Sequence, residues 1–303
     1  MIYTLTLNPS IDYIIHADDI KLGEVNRSYN EVKFPGGKGI NVSRVLSEFS
    51  IENTALGYIG GFTGEFVDSY LKKLDINTDF IKISDDTRIN VKIKSNKESE
   101  INGSGPSISD EELSKLLNKL SGLKRGDYLV LAGSIQKSLP NDLYFRIQDM
   151  LKDKGVCIIV DTSGKALLEA IKRKPFLIKP NDKEIEEIFN VKLNDVDDVV
   201  NYGKKLFEMG AENVIISRGG NGAVLICNEG IFIGKAPKGK VINSVGAGDS
   251  LVAGFVGTYS KTKDVIESFK YGIATGSATA FSLDLCKKSY VDELIKMVKI
   301  EKY

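Results

Sequence analysis

V-I-N-S-V-G-A-G-D-S-L-V-A-G-F-V-G, from Val241 to Gly257, is the stretch on which the fold turns. A β-prone run, Val241 to Asn243, leads into a turn of small residues. From Gly248 onward Leu251, Val252, Phe255 and Val256 recur at helical spacing. The turn therefore sits at a helix N-terminus, where the N–H groups of Gly246, Ala247 and Gly248 lack intrahelical acceptors and the dipole is positive. An anion such as a phosphate is the natural ligand of such an end. Asp249 lies in the same first turn, where the dipole favours its ionised form and leaves it able to take a proton from an attacking hydroxyl. A tight turn with a helix-capping aspartate accounts for the same letters. Two better-known phosphate loops fail on spacing: G-x-G-x-x-G needs glycine where Leu251 stands, and G-x-x-x-x-G-K-[ST] occurs nowhere in the chain.

Composition narrows the classes. The 303 residues balance 41 Lys plus Arg against 41 Asp plus Glu, which leaves no net field to draw nucleic acid or an anionic membrane. Small ligands held at a local site are the expected partners. Cys157, Cys227 and Cys286 are far apart in sequence and two of them sit in apolar runs, a usage that suits a reducing cytoplasm. His16 is the only histidine, so a histidine zinc site or a Ser-His-Asp triad has almost no material; a surface position at a strand end is expected for it. Met1 to Leu7 alternates like a first strand and not like a targeting segment, and no apolar run reaches membrane-spanning length. The length suits one α/β domain over residues 1–303.

Outward from the glycine turn the chain alternates strands and helices. Ile2 to Leu7 reads as a strand ending in the polar turn Asn8-Pro9-Ser10-Ile11-Asp12, which would bring Asp12 to the edge where open α/β sheets bind ligands; an ordinary turn aspartate reads equally well. Pro35-Gly36-Gly37-Lys38-Gly39 opens a helix through Asn41 to Phe49. Lys38 there opposes the dipole unless an anion is bound beside it, and an exposed, screened lysine is the plain alternative. Arg88 to Ser95 alternates Ile89, Val91 and Ile93 with Asn90, Lys92 and Lys94, a half-exposed antiparallel type of strand. With Ser99 to Asn102 it makes a hairpin outside the β-α rhythm. Residues 13–35 and 87–104 are thus read as two insertions forming a small β-sheet lid. From Asp110 the rhythm is βαβα, with continuous apolar strands such as Y-L-V-L-A and V-C-I-I-V that predict burial on both faces of a doubly wound, mostly parallel sheet flanked by helices. Asn181 and Glu184 stand three apart at a helix start, where their oxygens suit magnesium or its waters; a capping box is the competing reading. Ser217 to Gly222 is a glycine-rich turn after a strand, fit for a flat ligand or simply a hairpin. Small residues from Gly272 to Ala280 allow close helix packing behind the Gly246 turn.

N-P-S-I-D, G-G-K-G-I-N, K-P-N-x-x-E, S-x-G-x-x-G and V-G-A-G-D-S stand in this order along the chain, and together they resemble the ribokinase-like carbohydrate kinases of the PfkB type. The resemblance implies a ribokinase-like fold, ATP and Mg2+ as cofactors, and phosphorylation of a sugar phosphate. In the residues it supplies, Asp249 is the base and Gly246, Ala247 and Gly248 form the anion hole. Asn181 and Glu184 position magnesium through water, with Lys179 beside the phosphates. Ser217, Gly219, Gly222, Ser244 and Val245 border the nucleotide. Asp12, Gly36, Gly37, Asn41, Asn90 and Ser134 lie on the sugar side, and Lys38, Arg88 and Arg27 are the cations expected to meet the substrate phosphate. T-R-I-N-V-K, Thr87 to Lys92, is similar to the lid strand of the members acting on fructose 1-phosphate at its C6 hydroxyl; tagatose 6-phosphate and fructose 6-phosphate are the alternatives, and a catalytically silent sugar-phosphate sensor is the reading from another class. A homodimer through the lid is implied as well. Two departures stand out. The loop usually written G-S-L-P-x-G-L-P reads Gly133-Ser134-Ile135-Gln136-Lys137-Ser138-Leu139-Pro140, and Arg218 replaces a leucine.

Overall fold

Y-L-V-L-A, Tyr128–Ala132, is buried at every position, and its two faces explain why. Leu129 and Leu131 point into one hydrophobic cluster with Leu116, Leu143, Leu167 and Leu206, while Tyr128, Val130 and Ala132 point into another with Val45, Phe255 and Phe269. Alternate residues of one strand thus bury against helices on opposite sides of the sheet, which is what a continuous apolar run requires. The computed structural model describes all 303 residues. Its central sheet has eleven strands. Seven run parallel in the order Asn77–Thr78, Asn53–Gly60, Ile2–Thr6, Tyr128–Ala132, Cys157–Asp161, Leu177–Ile178 and Asn213–Ser217. Ile81–Ile83 also pairs with Asn53–Gly60. Ala223–Cys227, Gly230–Lys235 and Lys299–Lys302 continue the sheet antiparallel. No helix is long and apolar enough to cross a membrane.

The helices that matter for the site begin at the C-terminal ends of these strands. Lys38–Glu48 and Ala247–Thr262 lie on one face, and Val265–Ala280 packs behind the second of them. That packing is close because the residues are small: a Cβ on Gly276 would stand 2.9 Å from the carbonyl oxygen of Ala247. Val241 to Asn243, expected to be β-prone, is not a strand. No neighbour pairs with it, and the N–H groups of Ile242 and Asn243 instead donate to the carbonyl of Ala280 at the end of the packed helix.

A second sheet of four strands stands apart, in the order Asn30–Gly36, Ser10–His16, Arg88–Lys94 and Ser99–Asn102. Asp12 is therefore a strand residue and not part of a turn: the chain bends only at Leu7 and Asn8 before pairing resumes at Ser10. His16 ends that strand, as expected. The hydrophobic pattern of this sheet is inverted. Ser10, Asn90 and Lys92 are buried on the inner face, whereas Ile89 and Ile101 on the outer face are 40% and 64% exposed.

Candidate active site

The inner face of the small sheet roofs a cavity of about 410 Å3 at the C-terminal ends of Ile2–Thr6, Tyr128–Ala132 and Cys157–Asp161. Its wall is polar almost throughout: Thr6, Asn8, Asp12, Lys38, Asn41, Arg88, Asn90, Glu100, Asn102, Ser134, Thr162, Ser163, Glu184 and Asp249, with Ala132 the single hydrophobic residue. A wall of this kind suits a ligand covered in hydroxyls.

Asp161 lies beneath the floor, wholly buried, with Lys38 Nζ at 3.1 Å and Lys179 Nζ at 3.4 Å from its Oδ1. Burial works to raise its carboxyl, but the two ammonium groups outweigh that effect and hold it below the usual carboxylate range. Lys38 also reaches Glu184 Oε1 at 3.9 Å. Burial opposes its charge, yet Asp161, Asp249 and Glu184 together hold it protonated beyond an ordinary lysine. Lys179 Nζ sits 3.2 Å from where a Cβ of Gly248 would be, so the glycine turn lies directly over it.

That turn is a helix start with the chain in a left-handed conformation at Gly246, φ 78°. The N–H of Ala247 already donates to the carbonyl of Ser244 at 3.2 Å. Of the three amides expected to receive an anion, Gly246 and Gly248 are free, and Asp249 adds a third in place of Ala247. The Asp249 carboxylate is buried and accepts one hydrogen bond, from Asn41 Nδ2 at 2.8 Å. Its pKa is pushed up to about 6, chiefly by burial and then by the charge of Asp161, with Lys38, the Asn41 bond and Lys179 pulling the other way. The helix dipole alone does not set its state. It is still mostly ionised at pH 7, and far more basic than a surface aspartate.

Asn181 and Glu184 form a complete capping box: Asn181 Oδ1 accepts from the Glu184 N–H, and Glu184 Oε2 accepts from the Asn181 N–H, both at 2.9 Å. Asn181 is thereby committed to the helix end and does not line the cavity. Glu184 keeps Oε1 facing it. A carboxylate that lines the cavity and has an oxygen without a hydrogen bond fits magnesium, which is usually held by one or two carboxylates with waters and substrate phosphates completing its shell.

Under the small sheet, Asp12 Oδ1 accepts from Ser10 Oγ at 2.9 Å and Asn90 Nδ2 at 3.0 Å, while Lys92 Nζ stands 2.9 Å from Oδ2. Gly36 has to be glycine here, since a Cβ would come within 2.4 Å of Asp12 Oδ1. Gly37 caps the helix carrying Lys38 and Asn41. Arg88 lines the cavity but spends its guanidinium on the carbonyls of Gly103 and Asn8, at 3.0 Å each, where the small sheet joins the body. Arg27 is not brought to the site: it lies in the exposed loop between His16 and Asn30 and does not line the cavity. Ser134 sits at the mouth. The loop that follows it has lost its proline and glycine, but its root is fixed because Tyr144 Oη and Thr162 Oγ1 both donate to the carbonyl of Gly133 at 3.0 Å.

The residues read as nucleotide-side lie beyond Glu184. Ser217 bridges to Asn181, and Gly219 to Gly222 form a single tight turn next to it. Arg218 stands 3.6 Å from Asp182 and so ties this turn to the helix that Asn181 caps. Ser244 supplies the carbonyl that Ala247 uses, and Val245 lines a small cavity behind Asp12. Sequence reading passed over Asp161, Thr162, Glu100 and Asn102. For the first two a signal existed, two polar residues directly after the apolar run C-I-I-V at the ligand-binding edge of the sheet. Glu100 and Asn102 sit on an exposed edge strand whose letters carry none.

Residues 5–288 match the family model described as pfkB family carbohydrate kinase. The chain is 49% identical over 300 residues to a 1-phosphofructokinase of Bacillus subtilis, with 99% of each covered. It is 42% identical to a 1-phosphofructokinase of Borreliella burgdorferi, covering 99% of this chain and 98% of the other. Phosphofructokinase-2 from Escherichia coli, solved in complex with substrates and products, superposes with a TM-score of 0.93 at 28% identity over 98% of both chains. With its fold, its glycine turn and a full-length match in agreement, the chain belongs to the pfkB family of carbohydrate kinases.

Proposed function

We propose that this chain transfers the γ-phosphoryl group of ATP to the C6 hydroxyl of fructose 1-phosphate, giving fructose 1,6-bisphosphate. The observation that carries the reading is Asp249, a buried carboxylate with a raised pKa placed in the first turn of a helix whose free N–H groups can hold an anion. The full-length likeness to chains called 1-phosphofructokinase supplies the sugar.

In this mechanism the C6 hydroxyl lies against Asp249, which accepts its proton as the oxygen attacks phosphorus. The amides of Gly246, Gly248 and Asp249 receive charge on the transferring group, with Lys38 and Lys179 as the nearby cations. Because phosphoryl transfer passes through a loose transition state, these donors contribute more than the base does. Asp12 and Asn90 orient the sugar from the roof, and Arg88, which lines the cavity beside them, is the cation for its phosphate. Magnesium, held through water at Glu184 Oε1, would neutralise charge on the nucleotide phosphates. ATP would lie along the Ser217 to Gly222 turn. The small sheet acts as a lid that excludes water, and its partly exposed apolar outer face, with Tyr13, Ile15, Ile89, Val91, Ile93 and Ile101, suits a second copy of the chain. Three free cysteines fit a reducing cytoplasm.

The test is ADP release with Mg-ATP and fructose 1-phosphate, fructose 6-phosphate, tagatose 6-phosphate or ribose at matched low concentrations. Preference for fructose 1-phosphate is expected. Preference for another sugar would move the specificity argument to the altered Ser134 to Pro140 loop, and turnover of none would favour a sensor.

A further inference from the structure

Lys92 is one of the few buried lysines of the chain, 7% exposed, and it sits on a strand whose other side faces solvent. A lysine buried there without a partner would be strongly destabilising, because the desolvation of its charge would go uncompensated. It does not line the main cavity. It lines instead a small cavity behind Asp12, shared with Ile14, Phe34, Arg44 and Asp284. Two ion pairs close that space: Lys92 with Asp12 at 2.9 Å, and Arg44 with Asp284 at 2.5 Å. Glu100 stands opposite Lys92 in the sheet register, on the neighbouring strand.

We infer that Lys92 is a positioning residue for sugar recognition, acting through Asp12. An ionised carboxylate offers roughly four acceptor positions. Ser10 and Asn90 occupy two of them, both on Oδ1, the Lys92 ammonium is ion-paired with Oδ2, and Gly36 leaves the room that this placement of Oδ1 needs. Asp12, which lines the main cavity, is thereby held in one orientation and takes a sugar hydroxyl in a fixed direction. Lys92 is the cation paired with Oδ2. Without it the carboxylate is free to turn and to fill its vacant position with water, and the sugar loses a preformed acceptor. The effect belongs to binding of the sugar and not to the chemical step, since Asp249 and the lysines at Asp161 lie elsewhere in the cavity.

The inference rests on Asp12 facing the sugar, and it is tested by kinetics on the intact enzyme with whichever sugar phosphate the wild type turns over best. A wrong sugar assignment would therefore show in the wild type and a wrong role for Lys92 only in the variants. Lys92→Met should raise the KM of the sugar phosphate about tenfold, the usual scale for a hydrogen bond to a charged group, with kcat and the KM of ATP changed less than about threefold. In an Asp12→Asn background the same change should add nothing further. Equal losses in kcat and in both KM values, or an additive rise in the double variant, would overturn it. Should Lys92→Met fold poorly, the pair is removed together: Asp12→Asn with Lys92→Met should have a higher Tm than Asp12→Asn alone and the same sugar KM. A double variant no more stable than the single one, or with a different KM, would count against the pairing. If no sugar is turned over, the Kd of fructose 1-phosphate by calorimetry replaces KM in each comparison.

Discussion

Two aspartates face the same cavity and are held in opposite ways. Asp249 accepts one hydrogen bond and touches no cation directly, and burial leaves its pKa near 6. Asp12 is bound by a hydroxyl, an amide and an ammonium group at once. A group that must receive a proton needs spare basicity, which burial with few donors supplies; a group that must only hold a hydroxyl needs a fixed direction, which many donors supply. The contrast separates the two functions more clearly than position does, because both residues belong to one wall.

The sharpest way to break this contrast is at Asp249. Asp249→Asn should lower kcat about a thousandfold, within the range for general base catalysis, while the KM of ATP stays within about threefold; a lost affinity for ATP would mean that Asp249 serves the nucleotide. Next comes Asp161, which touches both lysines and whose charge raises Asp249. Asp161→Asn should cost about a hundredfold in kcat, comparable to losing an oxyanion donor. It should also move the acid limb of the pH profile downward, since a like charge is removed and two cations are freed to approach Asp249. In the wild type that limb should stand at about 6: Asp249 is the base only when ionised, so kcat/KM falls as pH drops through that value. An acid limb unmoved by Asp161→Asn would detach the two carboxylates. Asp12→Asn should be smaller and of another kind, a sugar KM raised about tenfold with kcat little changed. The smallest effect is expected at Arg218→Leu. Its pair with Asp182 is wide and partly exposed, so stability should shift by no more than about 1 kcal/mol, readable as a small change in Tm, with ATP KM nearly unaltered.

The fold was legible wherever burial is two-sided. Y-L-V-L-A and A-V-L-I-C carry the doubly wound sheet in their letters, and the strands formed on those residues. The edge strand Lys299–Lys302 escaped notice because K-I-E-K has only one apolar residue to bury. The small sheet was found through its alternation, yet alternation cannot say which face turns inward, and here the polar one does. Much the same limit applies to the site. Asp249, Glu184, Lys38 and Asn41 belong to local patterns at helix starts, and they do meet in one cavity. Asp161 and Lys92 are defined by partners far away in sequence, and Arg27 was placed by charge alone, which a loop reaching into solvent does not honour.

The hydrogen bond between Asn41 and Asp249 joins residues 208 positions apart. On the near side of that span lie Asp12, Gly36, Lys38, Arg88, Asn90 and Ser134; on the far side lie Lys179, Glu184, Ser217 and the glycine turn. The residues read as sugar-side and those read as nucleotide-side thus come from separate stretches of the chain, joined by this bond and by the pairs of Lys38 with Asp161 and Glu184. A chimera that takes residues 1–140 from one relative and 141–303 from another should carry the sugar preference of the first parent, so that a change of diet requires edits to less than half the chain.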